Sequence, residues 1–162
     1  MRRRLLLLAA PAALTACGFE LRKAPDFAFK SIAMPRLGSN VSMDLARTLG
    51  SDNALQVVTS GDTSKVDVVF EPLAETRDKV VVGLNASGQV REFQLRMMYR
   101  FRLRTPQGRE LIPPTELTLQ RDISFNETAV LSKEAEEGLL YRDMQNDLVQ
   151  QIMRRLAAIK SL

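Results

Sequence analysis

Residues Glu92 to Arg104 read EFQLRMMYRFRLR, and every second one is apolar: Phe93, Leu95, Met97, Tyr99, Phe101 and Leu103. Between them stand Gln94, Arg96, Met98, Arg100, Arg102 and Arg104. A period of two puts the first set on one face of a β-strand and the second on the other. Such a strand needs a sheet with one face covered, so the rest of the chain has to supply the cover. From Ser132 the period becomes helical: Leu140, Met144, Leu148, Ile152, Leu156 and Ile159 form one stripe at spacings of three and four. Glu134, Glu136 and Glu137 lie in its first turns and Arg154, Arg155 and Lys160 in its last, both complementing the helix dipole. A second, short helix is predicted after the GSN turn, where Val41, Leu45 and Leu49 recur every four residues. Ser39 or Asn40 would be its N-cap and Gly50 its C′ residue.

Other strands are predicted at Phe29–Pro35, weakly at Ala54–Ser60, within Lys65–Gly83, and from Arg109 to Phe125. Pro72 marks an edge position or a bulge, and Pro113-Pro114 a bulge or break. Placing apolar residues on one face pairs Leu103 with Leu111, Met97 with Leu117 and Leu95 with Leu119. Arg104 then faces Glu110 and Arg96 faces Thr118, which leaves Arg96, Arg100 and Arg102 without a cross-strand acid. The expected fold is α+β, a two-layer sandwich. Its mixed or antiparallel sheet of about four strands is covered on one face by a short N-terminal helix and a long C-terminal helix.

The chain begins with a basic MRRR and an apolar LLLLAAPAAL, the pattern of a secretory signal peptide too short to span a bilayer. LTAC follows, ending at Cys17, and resembles a bacterial lipobox. That resemblance implies a diacylglycerol on the Cys17 thiol, cleavage before it, and an acyl chain on the new amino group. Residues 1–16 are then a signal peptide, 17–27 a lipidated tether, and 28–162 a single domain. Cleavage removes Arg2, Arg3 and Arg4 and no acid, so the 23 basic residues fall by three against 19 acidic ones and a net charge of +4 becomes +1. A general case for nucleic-acid binding disappears with the leader.

The chain has one Cys and no His, which excludes an internal disulfide, a Cys/His metal cluster and any His-activated nucleophile. No GxSxG, P-loop or GxGxxG is present, and no pair of acids stands out as catalytic. The expectation is a non-enzyme with no metal and no cofactor, apart from the covalent diacylglycerol and N-acyl chain on Cys17.

These features together resemble the LPS-assembly lipoprotein family LptE. The resemblance is carried by Cys17-Gly18-Phe19 with Leu21-Arg22, by the order strand, helix, long hairpin, and by Ser124-Phe125 closing a strand. It is carried also by LSKEAE leading into MQNDLVQQIMRRLAAI. It implies a lipid-anchored protein on the periplasmic face of the outer membrane, plugging the LptD β-barrel and binding lipopolysaccharide. Gly18 after the cysteine, in place of Asp, agrees with outer-membrane sorting. Lys133 in LSKE matches a basic residue that the family uses for lipopolysaccharide contact.

On this reading Arg96, Arg100 and Arg102 meet lipopolysaccharide phosphates, for which arginine offers a bidentate fork. Two other readings stand beside it: a polar face inside a polar lumen, or plain solvent. A rival function is a pilotin-like assembly lipoprotein that takes a partner peptide by strand addition near Pro72, with no lipid ligand.

Overall fold

The computed structural model describes residues 26–35, 38–51 and 55–162. The signal peptide, Cys17 and most of the expected tether lie outside the described residues. The elements are β1 (Ser31–Ala33), α1 (Asn40–Gly50), β2 (Gln56–Val58), β3 (Val68–Leu84), β4 (Val90–Arg104), β5 (Glu110–Ser124) and α2 (Val130–Ala157). One mixed sheet runs in the order β2-β1-β3-β4-β5. β1 is parallel to both β2 and β3, and β3, β4 and β5 form an antiparallel meander. The weak strand foreseen near Ala54–Ser60 is β2, the fifth strand.

α1 and α2 cover one face. There Leu95, Met97, Tyr99, Phe101 and Leu103 of β4 are fully buried, as are Met144, Leu148, Ile152 and Leu156 of α2 and Val41 and Leu45 of α1. Phe70 of β3 stacks on Phe101 at 5.2 Å between ring centroids. A polar contact crosses this core, joining the Tyr99 hydroxyl to Ser42 Oγ at 2.8 Å, and it answers the cost of burying a phenol without a partner.

α1 starts as its sequence predicts: the Ser39 side chain accepts from the Ser42 amide at 3.1 Å. Its end differs. Gly50 is the last helical residue and Ser51 follows in right-handed conformation, so no left-handed C′ glycine closes the helix. Ser51 Oγ donates to the Thr48 carbonyl at 2.7 Å and satisfies a group that a C′ turn would otherwise have served.

The register of β4 on β5 also differs from expectation. Arg104 does pair with Glu110, but Leu103 pairs with Ile112, Met97 with Leu119 and Leu95 with Arg121. Two successive irregularities around Pro113-Pro114 add one residue each to β5. A shift of two keeps every side chain on its face, so the apolar pattern alone could not reveal it. β3 is one continuous strand through Pro72, with a bulge between Pro72 and Ala74. β1 accompanies β3 only at Val68 and Val69, so Pro72 combines both expected roles, bulge and free edge. At the far end the strands close tightly: a Cβ on Gly83 would lie 2.9 Å from Glu92 Cβ.

Candidate functional site

The uncovered face of the sheet carries the arginine row. Its neighbours come from both flanking strands. On β3, Glu71 stands opposite Arg102 and Asp78 opposite Arg96. On β5, Glu116 stands opposite Arg100 and Glu110 opposite Arg104. Arg102 and Arg104 share one carboxylate: Arg102 Nε donates to Glu71 Oε2 at 2.6 Å, and Arg104 Nη2 lies 2.8 Å from Glu71 Oε1. Arg102 Nη1 also lies 3.9 Å from Glu110 Oε1. The expectation that Arg96, Arg100 and Arg102 lack cross-strand acids is therefore corrected. It considered β5 alone and in the wrong register, whereas β3 supplies Glu71 and Asp78.

Partial burial pushes the Glu71 carboxyl up, but the hydrogen bonds and charges of Arg104 and Arg102 outweigh it and hold the group below its ordinary value. Arg96 donates from Nε to Gln94 Oε1 at 2.8 Å, and Gln94 donates in turn to Asp122 Oδ1 at 3.0 Å. Thr76, Met98 and Thr118 cross the middle of the face as an uncharged band. This face therefore interleaves both signs of charge. It suits another mixed polar surface, where each charge finds either its neighbour or a partner.

Lys133 lies elsewhere, and the sheet separates it from Arg96, Arg100 and Arg102. It belongs to the first turns of α2, on the covered side, at the end of the sheet where β3 and β5 finish. Its Nζ donates to Ser124 Oγ at 2.9 Å and to Glu136 Oε2 at 2.8 Å. A small notch of about 60 Å³ lies here, bordered by Lys79, Phe93, Phe125, Val130, Lys133 and Glu137. Lys79 Nζ sits 4.4 Å from the centre of the Phe93 ring and 2.6 Å from Glu137 Oε2. Phe93 meets Phe125 edge-on. Val130 borders the notch and is exposed, and Val81, which pairs with Phe93, and Leu131 are exposed as well, Leu131 at 82%. Two lysines thus stand at the rim of an unburied apolar surface. Sequence reasoning missed Lys79 because the face that it occupies depends on a bulge whose position the sequence does not show. The bulge between Pro72 and Ala74 reverses the alternation, so that Phe70 and Lys79, of opposite parity, face the same side, and no sequence pattern reveals this.

Among the described residues no group of His, Cys, Asp and Glu could hold a metal ion, and no helix is long and apolar enough to cross a membrane.

Comparisons with known proteins bear on the family and the fold. The sequence profile of LptE, lipopolysaccharide-assembly, matches residues 23–156. No curated protein sequence matches the chain. Among solved structures, the chain is similar to an uncharacterized lipoprotein B from Nitrosomonas europaea at 33% identity and a TM-score of 0.75, over 87% of this chain and 91% of that one. A rare lipoprotein B from Shewanella oneidensis shares the fold at 20% identity and a TM-score of 0.64, over 79% of this chain and 92% of that one. A minor lipoprotein from Acinetobacter baumannii does so at 22% and 0.63, over 82% and 94%.

Proposed function

The chain belongs to the LptE lipopolysaccharide-assembly family, and from that premise we propose that it is a non-enzymatic outer-membrane lipoprotein that binds lipopolysaccharide and assists its insertion as a plug in the LptD β-barrel. Cleavage before Cys17 and acylation of that residue anchor it on the periplasmic face, and residues 17–27 form the tether. No cofactor, metal or nucleic acid enters this reading.

The observation that carries it is that Lys79 and Lys133 border one notch together with Phe93, Phe125 and the exposed Val130. A glycolipid offers a phosphate to the cations and acyl chains to the apolar groups. Glu136 and Glu137 hold the lysines in exposed ion pairs, which are worth only about 0–1 kcal/mol each. A phosphate can displace them. Arg96, Arg100 and Arg102 are assigned to the polar inner wall of the barrel rather than to phosphate, because acids of β3 and β5 stand opposite them.

The test is a lipopolysaccharide titration of the full chain in nonionic detergent at two salt concentrations. The Lys79→Glu/Lys133→Glu variant should bind at least tenfold more weakly, and wild-type binding should weaken with salt. The Arg96→Glu/Arg100→Glu variant should keep its lipid affinity and lose recovery of the barrel in a pull-down. Equal lipid affinity for wild type and the lysine variant would remove the notch from the ligand site. Absence of lipid binding in every form, with a partner peptide bound, would favour the pilotin-like reading.

A further inference from the structure

The start of α1 and the bulged edge of β3 enclose two adjoining cavities of about 190 and 380 Å³, which share Gly38, Ser39 and Glu75. Ser42, Leu73 and Tyr99 complete the walls of the smaller one. Glu75 is directed to the covered side of the sheet, opposite Tyr99. Its Oε1 has only a long contact of 3.4 Å to Arg77, and its Oε2 is buried with no hydrogen-bond partner among the described residues. A carboxylate oxygen removed from water and left unpaired is a standing demand for an N–H donor. The other polar groups of the wall do not meet it: the Tyr99 hydroxyl and Ser42 Oγ serve each other. Burial pushes the Tyr99 phenol up to about 12, so it stays neutral.

The backbone beside Glu75 is open as well. β1 leaves β3 after Val69. At the other end the Tyr141 hydroxyl donates to the Asp78 carbonyl at 3.0 Å and closes the edge there. Between these limits Leu73 to Arg77 have no neighbouring strand on this edge among the described residues. Pro72 and the bulge prevent a long ladder, so only a short segment fits, held chiefly by one side chain. We propose that this cleft receives a short extended segment of a partner polypeptide, whose lysine or arginine enters the cavity and pairs with Glu75. Arg77 also lines the larger cavity, but it donates to Gln145 at 2.8 Å and reaches only Oε1, so Oε2 still lacks an N–H donor, which a purely apolar occupant would not supply. The cleft and the notch share no lining residue, although Glu75 and Lys79 lie on the same side of β3, and the cleft does not depend on the lipid reading.

The experiment places a photo-reactive benzophenone residue at position 73, which is exposed in the bulge, in the full-length chain in intact envelopes. The captured peptide is then sequenced. The expected product is one segment of another protein with Lys or Arg within about three residues of the cross-link. Its yield should fall at least tenfold in Glu75→Gln, a near-isosteric change whose folding is checked by thermal melting. Lipopolysaccharide affinity should be unchanged in the same variant, which keeps this outcome separate from failure of the lipid site. Equal yields with and without the Glu75→Gln substitution, or a captured segment without a basic residue, would overturn the proposal and leave water as the partner of Oε2. Capture that appears only after Arg36→Gln would overturn it too, since the chain's own cation two positions before Gly38 would then be the natural partner.

Discussion

Leu148→Ala tests whether the long helix is held by this domain's own sheet. Leu148 is at the centre of the α2 stripe and has no exposed surface, and Leu95 and Met97 on β4 are equally buried beneath the helices. The substitution removes three carbon atoms, worth about 2.4 kcal/mol at about 0.8 per buried methylene. A residual cavity adds to this, because a sheet of three long strands cannot collapse far towards the helix. The expected loss is about 3–4 kcal/mol, inside the usual range of about 2–5 for such truncations. That corresponds to a midpoint lower by about 10 °C in a domain of this size. Urea unfolding followed by far-ultraviolet circular dichroism measures it, with an unchanged slope confirming that only stability has moved. Leu139→Ala is the internal control: Leu139 is on the same helix, 54% exposed, and should cost no more than about half a kcal/mol. A loss below about half a kcal/mol at Leu148, or equal losses at both positions, would refute the packing argument.

Glu71→Gln should remove an acid-sensitive part of stability. The folded pKa of Glu71 is depressed, so its contribution is present above the unfolded carboxylate value and is lost as pH falls through the folded value. Wild type should exceed the variant by about 1 kcal/mol at neutral pH, with the gap closing on acidification below about pH 4; a gap independent of pH would contradict this. Cys17→Ser should give an unlipidated, unprocessed precursor by mass spectrometry, whereas a mature membrane-bound product would rule out acylation at that position.

The alternating apolar positions of β4 and the stripe of α2 were legible because burial of one face leaves a period in the sequence. Ser39 was legible as a cap because its chemistry is local. The register was not. Bulges at Pro113-Pro114 shift the pairing by two, and an even shift leaves no trace in the pattern. The charge character of the open face was hidden for a related reason: Arg102 finds its acid on β3, 31 residues away, and only the sheet order brings Glu71 there. The Tyr99–Ser42 contact and the orphaned Glu75 oxygen are products of tertiary packing between elements distant in sequence, with no local signature.

The unequal lengths of the strands govern the order in which the molecule assembles. β3, β4 and β5 join through residues 85–89 and 105–109, short closures with little entropic cost. β1 instead reaches β3 across residues 34–67, and does so with only two residue pairs. The meander can therefore form from local contacts, while β1, α1 and β2 have no edge to join until β3 exists. Synthesis delivers them first. The N-terminal portion of the domain is consequently the first to be made and the last to be locked in place. During that interval its apolar residues, Phe29, Ile32, Val41 and Leu45 among them, are the ones a chaperone would have to shield.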